Sequence, residues 1–223
     1  MLACALTNKE VITSIISMAF STRNLVQRKY IDLLYSSMPI VVSTGPAGTG
    51  KTLLACHAGS KALATRQVDR LILTRPAVSV DEQHGFLPGS LDKKMEPWTR
   101  PMFDALHRYM SPKQVKLMVE ERKIEICPLA YMRGHTFDNA WIIGDEMQNS
   151  TPSQMKMLLT RIGEGSKMIV AGDTAQHDRG FEENGLADLI ARLDRGSHSI
   201  RHVEFTEDDI VRSEVIKEIL RMY

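Results

Sequence analysis

The stretch Gly45-Pro46-Ala47-Gly48-Thr49-Gly50-Lys51-Thr52 matches the pattern GxxxxGK[ST] in full, and no other feature constrains the fold as strongly. Its glycines let the backbone turn tightly and aim N–H groups inward with no side chain in the way. A helix opening at Gly50 would offer unsatisfied N–H groups and the positive end of its dipole to an anion. Lys51 adds a mobile charge for β- and γ-phosphates, and the Thr52 hydroxyl is placed to ligate Mg²⁺. Such a turn works only between a strand and a helix. Pro39–Thr44 (PIVVST) reads as the strand and Lys51–Ala64 as the helix. The chain therefore predicts a triphosphate-binding α/β domain.

The rest of the sequence repeats the alternation. Arg70–Thr74, Lys123–Cys127, Trp141–Gly144, Lys167–Ala171 and Ser199–Phe205 read as strands. Thr151–Ile162, Leu186–Leu193 and a closing Glu207–Tyr223 read as helices. This pattern predicts an α/β fold, a doubly wound, mostly parallel sheet covered by helices on both faces, in three layers. The segment Asp81–Met110 fits poorly: it carries Gly85, Pro88, Gly89, Pro97 and Pro101 before a helix from Met102. It reads as an insertion on the C-terminal edge of the sheet, where such proteins place ligands.

Composition excludes several classes. At 43% hydrophobic and 25% charged the chain lies in the globular range. A net charge of +1 argues against an overall basic nucleic-acid coat, though a local basic track remains open. Three cysteines (Cys4, Cys56, Cys127) without a CxxC pair point to a reducing compartment and no zinc site. The apolar stretch Val11–Phe20 is broken by Thr13, Ser14 and Ser17, too short and polar to span a bilayer. A cytoplasmic protein without membrane attachment is expected.

Two further clusters follow strands. Trp141-Ile-Ile-Gly-Asp145-Glu146 puts two carboxylates at the sheet edge that carries the phosphate loop. Asp145 suits Mg²⁺, and Glu146 suits a base that polarises the attacking water. Binding alone does not require the second acid, so the pair points to hydrolysis. Gly172-Asp-Thr-Ala-Gln176 places an amide where it can sense a γ-phosphate.

Four elements thus stand in order: GPAGTGKT, LTRPAV (Leu73–Val78), GDEMQ (Gly144–Gln148) and GDTAQ (Gly172–Gln176). The order resembles the first RecA-like half of superfamily 1 helicases. The strings GFLPGSLDKKMEPWTRPMFDAL, PLAYMRGHTF, QMKMLLTRIGEGSKMIVAGD and DIVRSEVI are similar to the PhoH family, from about Arg23 to Tyr223. That family is often described as phosphate-starvation-inducible. The resemblance implies a RecA-like P-loop ATPase that uses ATP and Mg²⁺ and acts on RNA or single-stranded nucleic acid. It divides the chain into an extension, 1–22, and one domain, 23–223, with residues 81–110 inserted on the nucleotide edge. It also implies that Gln27 reads the adenine edge and that Gln148 couples the γ-phosphate to a strand-separating surface. Thr74 and Arg75 would touch a nucleic-acid backbone. Some relatives carry a nuclease domain, but this chain shows no spare carboxylate cluster for one.

Helicases of this kind hydrolyse ATP between two RecA-like halves, the second donating an arginine worth about 10³–10⁵ in rate where measured in GTPases. One phosphate loop in the chain predicts donation by a neighbouring subunit, and head-to-tail contacts close into a ring, here a hexamer. Arg161, Arg133 and Arg212 are the candidate fingers. Two other functions compete: a P-loop kinase acting on a small molecule, and a non-enzymatic assembly gated by ATP.

Overall fold

The computed structural model describes residues 21–76, 100–176, 183–193, 196–211 and 222. Six strands form one sheet in the order β3-β2-β4-β5-β1-β6, and every pairing is parallel. They are β1 (Ile40–Thr44), β2 (Arg70–Thr74), β3 (Ile124–Ile126), β4 (Ala140–Gly144), β5 (Lys167–Gly172) and β6 (Ile200–Glu204). The register sets Val42 beside Val170 and His202, and Leu71 beside Trp141. The central strands β1, β4 and β5 are buried along their whole length, as their apolar runs require.

Side-chain alternation divides the core into two layers. Val41, Leu71, Leu73, Trp141, Ile143 and Ile169 face one side. Four helices cover them: α1 (Leu25–Tyr35), α2 (Lys51–Ala64), α3 (residues 100–107) and α4 (Pro112–Glu120). Ile40, Val42, Ile72, Ile142, Met168 and Val170 face the other side, under α5 (Pro152–Leu159) and α6 (Gly185–Leu193). The three-layer RecA-like architecture is the one the sequence predicts.

Some boundaries differ. The expected helix Thr151–Ile162 ends at Leu159, with Thr151 and Gln154 forming a capping box at its start. No helix opens at Glu207: Glu207–Asp209 is a single 3-10 turn and Ile210 is extended at φ −67°, ψ 117°. Thr206 and Asp209 form a capping box at that turn, with Thr206 N donating to the Asp209 carboxylate at 2.9 Å. Met222 is helical, while residues 212–221 and 223 of that expected helix, residues 1–20 of the extension and residues 81–99 of the insertion lie outside the described residues. The described end of the insertion is core: Met102, Ala105, Leu106 and Met110 are buried in the first layer.

The phosphate loop is held from the segment before β1 and from the segment after β6. Phe205 N donates to Thr44 O at 2.8 Å, and Val211 N donates to Gly48 O at 3.1 Å. Asn24, which caps α1, also donates through Nδ2 to Asp209 O at 3.3 Å.

Candidate active site

β1 ends at Thr44 and the loop begins with Gly45 at φ +126°, a region that side chains avoid. A Cβ there would also strike the carbonyl of Phe205, so glycine is required twice over. Gly50, at φ +93°, caps α2 in a left-handed conformation and turns the helix N-terminus toward the loop. Gln27 is buried beneath: its Nε2 donates to Thr49 O at 2.9 Å, and its Oε1 accepts from Arg23 N at 2.9 Å.

Lys51 is 9% exposed, and its ammonium donates to Gly45 O and to Pro46 O at 2.8 Å. Burial lowers its pKa below the ordinary lysine value, while the carboxylates of Asp173, Asp145 and Glu146 oppose that shift. Thr52 donates its hydroxyl to Asp145 Oδ1 at 2.6 Å. The two residues expected at the metal thus meet across the loop and the end of β4. Hydroxyl and carboxylate oxygens are the hard donors that Mg²⁺ takes, so the pair fits that ion.

Asp145 is buried, which raises its carboxyl above the ordinary value; Arg75 acts most strongly against that, with the Thr52 hydroxyl also lowering it. Arg75 reaches over from the end of β2, with Nε 3.4 Å from Asp145 Oδ2 and Nη2 2.9 Å from Glu146 Oε1. Glu146 takes φ +51°, a left-handed conformation that costs a non-glycine residue of order 1 kcal/mol. That turn brings its second carboxylate oxygen within 2.6 Å of Gln148 Nε2. Gln148 Oε1 in turn accepts from Asp173 N at 3.1 Å, tying the end of β4 to the end of β5.

These groups share a cavity of about 720 Å³ lined by Lys51, Thr52, Asp145, Glu146, Asp173 and Gln176, among others. Gln27 and the loop line it too. The structure therefore brings together the loop, the acids, Gln27 and Gln176. Gln148 stands behind them as a brace.

Other candidates sit differently. Thr74 is 1% exposed and Arg75 is turned onto the acids, so neither side chain presents itself outward in this arrangement. Arg161 follows α5 on the opposite edge of the sheet, its guanidinium donating to His135 O at 3.0 Å and Met157 O at 3.2 Å. Arg133 is exposed after a short 3-10 turn, Leu129–Met132. Arg212 lies outside the described residues. Sequence reasoning did not find Asp173 as a charge beside Lys51, nor Arg108 and Tyr109, which line the cavity from the end of α3. The aspartate was visible as a strand-end acid; the other two had no local signal.

Fold and constellation together define a RecA-like P-loop domain built to bind nucleotide. A family model described as PhoH-like protein matches residues 19–223. A PhoH-like protein of Synechocystis sp. is 43% identical over 198 residues, covering 88% of this chain and 60% of that protein. A PhoH-like protein of Mycobacterium tuberculosis is 45% identical over 205 residues (90% and 57%). Protein PhoH of Escherichia coli is 42% identical over 205 residues (90% and 57%). The chain belongs to the PhoH family. It spans about three-fifths of the length of the curated relatives it matches.

Among solved structures, the large terminase of a thermophilic bacteriophage aligns with TM-score 0.58 at 15% identity, over 92% of this chain and 51% of that one. The same terminase in complex with ADP aligns with TM-score 0.52 at 14% identity, over 89% and 50%. At this identity the likeness speaks for the fold. No helix among the described residues is long and apolar enough to cross a membrane.

Proposed function

We propose that the chain is a Mg²⁺-dependent ATPase whose turnover is coupled to single-stranded RNA or DNA in a head-to-tail ring, hexameric, in the cytoplasm. One observation carries the hydrolytic part: Glu146 stands beside the hydrogen-bonded Thr52–Asp145 pair, in the cavity that also contains Lys51. A site built only to hold phosphate needs the loop and Lys51. It does not need a second carboxylate posed at the cost of backbone strain.

Bound Mg²⁺ would be held by Thr52 and Asp145 and would neutralise charge on the transferring phosphate. Lys51 and the N–H groups at the start of α2 hold the phosphate oxygens. Glu146 accepts the proton of the attacking water, with Gln148 and Arg75 fixing its carboxylate. Gln176, exposed at the cavity, touches the γ-phosphate or the water.

Coupling to nucleic acid rests on Arg75. Its guanidinium already pairs with Glu146, so a backbone phosphate approaching from outside would compete for it and change the partner of the base. The ring rests on Arg161, whose place on the far edge of the sheet suits donation to a neighbouring subunit's cavity.

The test is phosphate release by the wild-type chain and by Glu146→Gln, each with and without single-stranded RNA, with sedimentation in Mg²⁺ and ATP alongside. Glu146→Gln should bind ATP like wild type and lose about 10²–10⁴ of the rate, the span of general-base catalysis. RNA should speed the wild type. Equal rates for the two proteins would remove Glu146 as the base. An RNA-insensitive rate would remove the coupling.

A further inference from the structure

The cavity is larger than its phosphate half. It extends to Leu53, Arg108 and Tyr109, and Arg23 and Gln27 also line it. Its three acids, Asp145, Glu146 and Asp173, follow β4 and β5 and belong to the phosphate half. Leu53 and His57 lie four residues apart on α2 and therefore share one flank of that helix. The Tyr109 ring packs on His57, with centroids 4.6 Å apart and planes at 52°. α3 itself cannot shift freely, because Met102 and Leu106 are fully buried in the core. The result is a flat aromatic ring and a guanidinium, fixed by a core helix, at the flank of α2 just past the phosphate loop.

We infer that Leu53, Arg108 and Tyr109 form a nucleoside subsite, which takes the purine base and ribose of the nucleotide whose phosphates the loop holds. This rests on the nucleotide-binding reading above and adds a second binding element to the same site. Tyr109 gives the base an aromatic face, and Leu53 gives it an apolar edge. Arg108 adds a cation for the ribose side or for stacking. Gln27 completes the wall. Each end of its amide spends one hydrogen bond on backbone, which leaves one N–H and one lone pair to read a base edge.

The experiment is calorimetric titration of the full chain with Mg·ATP and, separately, with Mg·tripolyphosphate, which presents the phosphates without the nucleoside. Wild type should prefer ATP. Tyr109→Ala should lose about tenfold or more in ATP affinity, as expected for the loss of base stacking. Its affinity for tripolyphosphate should stay within about twofold, and Tyr109→Phe should keep both. Equal ATP affinity in Tyr109→Ala, or equal losses for both ligands, would overturn the subsite. Tyr109→Trp gives a second readout if the alanine variant does not fold: ATP should change its fluorescence and tripolyphosphate should not. The reverse would overturn the subsite. A wild type that binds both ligands equally rejects the subsite alone, whereas one that binds neither rejects the nucleotide-binding reading as well.

Discussion

Two lysines at opposite edges of the sheet are almost equally buried, Lys51 at 9% and Lys167 at 8% exposure. Each ammonium is held by two backbone carbonyls. Lys51 donates to Gly45 O and Pro46 O, and Lys167 to Leu33 O at 2.9 Å and Ser36 O at 2.7 Å. Around Lys51 stand Asp173, Asp145 and Glu146, which counter the effect of burial. Beside Lys167 stands the Trp141 ring, 5.8 Å away, and burial pushes its pKa down to about 8. Carbonyl dipoles are enough to seat a lysine, and the carboxylates around Lys51 offset part of what burial costs its charge. Lys51 is thus kept ready for phosphate, while Lys167 ties off the last turn of α1, where carbonyls lack helical partners.

Replacing each lysine by methionine should separate the two roles. Lys51→Met should cut ATP turnover by about 10²–10³, as losing one preorganised donor to a transition-state oxyanion does, with stability lowered by about 1 kcal/mol as Gly45 O and Pro46 O lose their donor. Lys167→Met should leave turnover near wild type and lower stability by about 1 kcal/mol, a drop of about 2–4 °C, because Ser36 O loses its donor. If both variants lost activity alike, the two sites would not differ as argued.

A further effect concerns pH. Folded Lys167 titrates near 8 and an unfolded lysine near 10.5, so between those values the unfolded chain binds more protons. Burial therefore penalises the folded state fully below about pH 8, and the penalty fades as pH rises toward 10.5. Measured against Lys167→Met, wild-type stability should gain across that window. A flat difference would mean that Lys167 keeps an ordinary pKa.

Local features of the site were legible in the sequence; those made by chain crossings were not. The phosphate loop, Asp145 and Glu146 each follow an apolar strand within a few residues, so their edge of the sheet could be read directly. The partners of Arg75 could not, because they arrive from β4, which is β2's neighbour only once the sheet has formed. Tyr109 and Arg108 were hidden for the same reason: proline and glycine upstream mark an insertion but do not say where its last helix docks. α4 passed unrecognised although Ser111 and Gln114 carry a capping-box signature, and α1 likewise behind its Asn24 cap. The helix expected from Glu207 does not open there: the capping box of Thr206 and Asp209 starts only a single 3-10 turn.

The hydrogen bonds that join Thr44 to Phe205 and Gly48 to Val211 have a mechanical meaning. They lash the nucleotide-gripping turn to the stretch of chain leaving β6, while Gln27 moors it to α1 and Asn24 ties the start of α1 to Asp209. A tug on the backbone beyond Val211 would reach Gly48 through a single hydrogen bond, without passing through the packed interior. The grip on phosphate is thus strung between α1 and the stretch after β6, so it is fastened by segments outside the sheet as well as by the sheet itself.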